Sequence, residues 1–148
     1  MKNDKSAYQL LFDFMLRSKH QWAIVAERNG LSLVQLHAIG MLMSSDAMPM
    51  VQLSALLSCD ASYVTGIVDR LQEQGIVERR ESPNDRRVKM VGLTPKGRAL
   101  RGKVEKLMLE TQARLFERLT ADEQAEFYRL LFKMTEEDSA ACKFFKNS

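Results

Sequence analysis

The side chains of this sequence that could do chemistry gather in two short stretches. In the first, Asn84-Asp85-Arg86-Arg87 sets two guanidinium groups in a turn-forming context, and Lys89 follows directly behind. Residues 79–103 hold nine basic and two acidic side chains, whereas all 148 residues together carry a net charge of only +3. A local surplus of that size is the electrostatic footprint of a polyanion contact, although solvated basic faces share it. In the second stretch, residues 61–74, Val64, Ile67, Val68 and Leu71 recur at i, i+3, i+4 and i+7. The opposite face of that helix is polar, centred on Ser62, Gly66, Asp69 and Glu73, with Thr65 to one side and Tyr63 and Arg70 to the other. Hydroxyls and an arginine on a bare helical face are groups that hydrogen-bond base edges and phosphates.

Other chemistries find no support. There is no nucleophile motif, phosphate-binding loop or paired-carboxylate site, so no enzyme is expected. Cys59 and Cys142 form neither a disulfide framework nor a Cys-x-x-Cys pair, and His20 and His37 are too few and too far apart for a closed metal site. No metal and no cofactor are predicted. Cys59 fits an apolar turn position as a reduced thiol, with a redox role as the alternative, and Cys142 lies in the tail.

The elements that must position the two stretches follow from periodicity and breakers. At 148 residues, 45% hydrophobic and 28% charged, the chain suits one folded unit. No apolar run reaches the roughly 18 residues of a membrane span and no signal-peptide core follows Met1, so a cytoplasmic protein without membrane contact is expected. Residues 4–28 run without Pro or Gly until Asn29-Gly30 and predict a long helix. Its apolar residues, among them Leu10, Leu11, Phe12 and Met15, exceed a single stripe and predict packing against a second subunit. Helices are predicted over 32–45 and 51–58, the first broken by Asp46-Ala47-Met48-Pro49; Asp60 caps the helix of 61–74, and Gly75 stops it. The period then changes: 76–81 and 88–93 flank the turn-rich 82–87 and predict a β-hairpin with a basic tip. Thr94-Pro95 opens another helix, and Thr120-Ala121-Asp122-Glu123 is a capping box for the last, with Phe127, Leu130, Leu131 and Met134 on one face.

A short helix, a tight turn, a helix with a bare polar face and a basic-tipped ribbon make the winged helix-turn-helix plan, in which the second helix enters the major groove and the ribbon tip reaches phosphates or the adjacent minor groove. Leu31-Ser32-Leu33-Val34-Gln35-Leu36-His37, the run from Val64 to Arg79 with Asp69-Arg70-Leu71 and Gly75-Ile76-Val77-Glu78-Arg79, then Asn84-Asp85-Arg86-Arg87 and Leu93-Thr94-Pro95-Lys96-Gly97 together resemble the MarR family of bacterial transcriptional regulators. The resemblance implies a mainly α fold with a small β-hairpin wing: a winged helix-turn-helix lobe at 31–97, with dimerisation helices at 4–29 and 98–148, in one MarR-type domain over 1–148. It further implies a homodimer on a pseudo-palindromic double-stranded DNA operator, acting as a repressor and released by a small aromatic or phenolic effector.

Carried onto this sequence, the resemblance makes Ser62, Tyr63, Thr65, Gly66, Arg70, Arg86, Arg87 and Lys89 the candidate DNA contacts and Asp69–Arg87 the ion pair that sets the wing against the helix. Gly66 departs from the longer polar or basic residue that many members place there. Either the backbone approaches DNA closely, or Ser62, Tyr63, Thr65 and Arg70 are the readers. Val51 stands where a capping Ser or Thr is frequent, so the helix at 51–58 is expected to begin less firmly. Arg17, His20, Trp22, His37 and Met41 are candidates to line an effector site, with Trp22 as dimer core and His37 as a satisfied half-buried histidine the plain alternatives. The rival class is a winged module that binds only protein; its hallmark, a wing depleted of arginine, is absent.

Overall fold

The computed structural model describes residues 5–42 and 47–135. The chain divides into two compact units, 1–109 and 110–148. Its elements are α1 (Ala7–Arg28), α2 (Leu33–Met41), β1 (Met48–Pro49), α3 (Met50–Leu57), α4 (Ala61–Glu73), β2 (Val77–Glu81), β3 (Lys89–Leu93), α5 (Pro95–Phe116) and α6 (Ala121–Thr135). The mainly α fold with a hairpin wing is therefore present.

Local capping fixes where the helices start. Ser6 and Ser32 each accept a hydrogen bond from the backbone N–H three residues on, while Gln9 Oε1 and Gln35 Oε1 accept one from the capping residue's own N–H. Asp60 Oδ1 accepts from Tyr63 N at 2.8 Å and opens α4. At its other end Gly75 takes φ +67°, a left-handed conformation that costs a glycine little, and Ile76 N returns to Leu71 O at 2.9 Å. Helix α3 starts behind Pro49 with no side-chain cap, and Val51 in its first turn is exposed.

Two expectations are corrected. Helix α2 ends at Met41 instead of Ser45: Leu42 turns extended with ψ 117°, is fully buried, and its carbonyl accepts from Arg101 Nη1 at 2.8 Å, an anchor 59 residues away in sequence. Met48-Pro49, read as a helix break alone, also forms a third strand. The sheet has order β1-β3-β2, all antiparallel, with Met48 opposite Val91 and Val77, Arg79 and Glu81 opposite Leu93, Val91 and Lys89. Pro49 lacks an N–H to donate, which an edge strand tolerates.

The core of the first unit joins α2, α3, α4 and the sheet through fully buried Ile39, Leu42, Leu53, Val64, Val68, Leu71, Val77 and Val91. The start of α5 is riveted beneath this core. Thr94 Oγ1 lies 2.7 Å from Gly75 O and accepts from Gly97 N at 3.0 Å, and Lys96 Nζ donates to Gln74 O at 2.7 Å. A Cβ on Gly97 would stand 2.0 Å from Ile76 O, so the close approach of α5 to the end of α4 requires glycine there.

In the second unit, Phe116 packs on Phe127 and Tyr128 at ring separations of 5.2 and 5.7 Å, and Gln112 Nε2 donates to the Tyr128 hydroxyl at 2.8 Å. The Thr120–Glu123 capping box forms as expected. Among the described residues no single helix is long and apolar enough to cross a membrane.

Candidate nucleic-acid interface

Helix α4 is held by one face and open on the other. Val64, Val68 and Leu71 are fully buried, which turns Ser62, Tyr63, Thr65, Gly66, Asp69 and Arg70 outward, all exposed. Thr65 Oγ1 donates to Ala61 O at 2.8 Å, so its hydroxyl is left as an acceptor beside an outward methyl. The guanidinium of Arg70 makes no hydrogen bond or ion pair with the described residues, and neither do the Ser62 and Tyr63 hydroxyls. An ideal Cβ on Gly66 would meet nothing within 4 Å.

The helix is tied to the hairpin by Arg79. Its Nη1 donates to Asp69 Oδ1 at 2.5 Å and its Nη2 to Thr65 O at 3.2 Å, a two-point grip across α4 from strand β2. The expected Asp69–Arg87 pair does not form. Arg87 Nε lies 3.3 Å from Asp85 Oδ1, Arg87 N donates to the same oxygen at 2.9 Å, and the Arg87 side chain is 93% exposed. The reason is the pleat. Successive strand side chains alternate faces, so Arg79 shares the face of buried Val77, which packs toward α4, whereas Arg87 precedes β3 in a turn closed on itself by Asp85. Val77 and Arg79 in strand period are a signal that could have identified the partner of Asp69.

The hairpin's remaining cations differ in availability. Lys89 Nζ donates to Glu81 Oε1 at 3.0 Å from the directly opposed strand position, so this candidate contact is charge-compensated. Arg80 and Arg86 are exposed and have no partner among the described residues. Ser82 N donates to Val88 O at 3.0 Å and closes the loop that carries Arg86.

Of the expected effector residues, Trp22 and His37 stand together edge to face at 5.3 Å. His37 Nε2 is buried without a hydrogen-bond partner among the described residues, and burial pushes the imidazole pKa below its usual value. Met41 is half-buried against the core, and Arg17 and His20 are exposed on α1. Cys59 is half-buried, with Sγ 3.3 Å from Leu57 O; Cys142 lies outside the described residues. Among the described residues no three His, Cys, Asp or Glu side chains gather as metal ligands.

Residues 31–89 match the family model described as MarR family. An HTH-type transcriptional repressor of Mycobacterium tuberculosis is 31% identical over 105 residues, 71% of this chain and 76% of the relative. The crystal structure of wild-type MarR from E. coli in its apo form superposes with a TM-score of 0.79 at 26% identity, covering 90% of this chain and 99% of that one. A MarR mutant from E. coli complexed with operator DNA gives 0.72 at 27% identity, covering 86% and 91%.

Proposed function

The chain belongs to the MarR family of transcriptional regulators, and on that footing we propose that it represses transcription as a homodimer bound to a pseudo-palindromic operator. The observation that carries the reading is one arrangement: an open polar face on α4 beside a hairpin, with Arg70, Arg80 and Arg86 lacking any partner among the described residues. Helix α4 enters the major groove with Tyr63, Thr65 and Gly66 toward base edges and Ser62 at its N-terminal end toward the backbone, and Arg86 at the hairpin tip reaches the minor groove. Arg87 and Lys89 lie on the same hairpin with their charges compensated and add orientation more than attraction.

Dimerisation is supported by exposed apolar side chains on a helix of each unit. Tyr8, Leu11, Phe12 and Met15 on α1 are exposed, and Leu130 and Met134 are exposed on α6. Clusters of this kind on a folded protein mark an interface. For the effector, the Trp22–His37 pair is the best supported seat, since a phenolic hydroxyl or carboxyl would satisfy the buried His37 Nε2. A ligand releases DNA only by binding more tightly to dimers whose wings miss the half-site spacing.

The test is selection of duplexes from a randomised library by the purified protein, followed by binding as a function of salt. The three cations of α4 and the hairpin that have no partner among the described residues, Arg70, Arg80 and Arg86, predict a log–log salt slope of about −5 for a dimer. Arg86→Ala in both subunits should shallow it by roughly 2. Failure to enrich any duplex, or a slope indifferent to Arg86, overturns the reading.

A further inference from the structure

The open face of α4 is not flat. Between it and the start of α2 lies a cavity of about 290 Å³. Among the described residues its one charged lining side chain is Arg70, and no carboxylate lines it. Ser32, Ser62 and Tyr63 are its hydroxyl-bearing residues. Gln35, only 7% exposed, spends its Oε1 on the N–H of Ser32, while its Nε2 has no partner among the described residues. A nearly buried amide with an unspent donor, three hydroxyls and a guanidinium without a partner among the described residues form, around one space, a donor-rich, cationic lining that suits an oxyanion. Val34 and Ile67 supply the apolar part of the lining, suited to the carbon side of such a ligand. Gly66 also lines the cavity, and the absence of a side chain there keeps it open toward the helix face.

We propose that this cavity seats one phosphodiester of the operator backbone in each half-site, with Arg70 as its cationic ligand and Gln35 and the two serines as neutral donors. The inference rests on the DNA-binding function proposed above and deepens it: Arg70 positions the helix on the backbone and does not read a base. A cavity of this size at the edge of the groove-entering helix holds a phosphate and part of its sugar, and lies just below the range of about 300–1,000 Å³ that encloses a free small molecule.

The experiment uses a duplex selected from a randomised library, with each phosphate in turn replaced by a neutral methylphosphonate. One replacement per half-site should weaken binding of the wild-type dimer about tenfold and leave Arg70→Ala unaffected, because the charge it removes has already lost its partner. Gly66→Leu, which fills the cavity from an exposed position, should lose sensitivity at the same phosphate; its circular dichroism and thermal melt report whether it is folded. Equal penalties in wild type and Arg70→Ala at every phosphate overturn the proposal, as does a folded Gly66→Leu that keeps the wild-type pattern. Calorimetric titration with benzoate and with inorganic phosphate separates the other source of an oxyanion: saturable binding that needs Arg70, with no position-specific methylphosphonate effect, assigns the cavity to a free anion and refutes the backbone seat. Enrichment of no duplex at all overturns the proposed function itself; enrichment without an Arg70-dependent phosphate overturns this inference alone.

Discussion

The grip of Arg79 on α4 predicts which pair of residues is energetically coupled. Arg79 and Asp69 side chains are 29% and 49% exposed, so solvent screens their ion pair and its contribution lies near 0.2–1 kcal/mol. The second bond, from Nη2 to Thr65 O, adds about 0.5–1 kcal/mol. Arg79→Ala should therefore destabilise the protein by about 1–1.5 kcal/mol. Asp69→Ala loses the ion pair but gains helix propensity, by several tenths of a kcal/mol, and the two effects offset. A double-mutant cycle removes that propensity gain and leaves a coupling of about 0.2–1 kcal/mol between Asp69 and Arg79, against a value within error for Asp69 and Arg87. Urea unfolding at one fixed protein concentration is the assay, since subunit association makes stability concentration-dependent. DNA binding gives a second readout. Arg79→Ala leaves Asp69 uncompensated on the face turned toward phosphates, so adding Asp69→Asn to it should restore affinity by about fivefold, roughly the 1 kcal/mol of one unscreened charge at short range. Stronger coupling of Asp69 to Arg87 than to Arg79, or no restoration by Asp69→Asn, refutes the reasoning.

Three further outcomes follow from the packing. Gly66→Ala should stabilise the protein by about 0.8–1 kcal/mol and raise its melting temperature, because Ala is the better helix former and its Cβ meets nothing within 4 Å; a lower melting temperature would mean that the space is occupied. Gly97→Ala should cost about 2–3 kcal/mol, read by urea unfolding, since the new Cβ falls 2.0 Å from the Ile76 carbonyl oxygen and backbone must move. Burial holds the His37 pKa below its unfolded value, so the unfolded chain takes up the proton first and stability declines as pH falls from above the ordinary histidine value of about 6.5 toward the lower folded value. His37→Phe keeps an aromatic edge for Trp22, removes the orphaned Nε2, and should stabilise at neutral pH by about 1 kcal/mol while flattening that decline; an unchanged pH profile would sink the assignment.

What could be read from the sequence was what short-range physics decides. Asp60, Thr94 and Thr120 cap helices by bonds to N–H groups three residues away, so their roles are written in the local order of residues. The i, i+3, i+4, i+7 spacing of Val64, Ile67, Val68 and Leu71 likewise decides which side of α4 is buried, and hence which side is free. Strand β1 was not legible, because two residues carry no period and its partner Val91 is 43 positions downstream. The end of α2 depends on a hydrogen bond from Arg101, and the partner of Asp69 on which face of a strand Arg79 occupies. Family resemblance placed Asp69 at an ion pair but named the wrong cation, since two arginines eight residues apart differ only in pleat and turn.

The basic stretch itself divides by what each cation touches. Of the nine basic residues in 79–103, Arg79, Arg87 and Lys89 face the carboxylates of Asp69, Asp85 and Glu81. Lys96, Arg98 and Arg101 donate to the carbonyls of Gln74, Leu93 and Leu42, fastening the start of α5 to the lobe. Arg80, Arg86 and Lys103 have no partner among the described residues. Cations paired with carboxylates add nothing to the long-range field beyond a Debye length, and those bound to carbonyls keep their charge but are fixed in place. The segment's excess of seven positive charges thus serves folding as much as attraction: three cations pin a helix, three orient the hairpin and α4, and the mobile positive charge left for a polyanion is concentrated at Arg80 and Arg86 on the hairpin. Arg70, outside the stretch and on an acidic one, completes that set from the helix side. A basic count therefore locates such an interface along the chain, while the pairing of each cation decides how strongly salt will act on it.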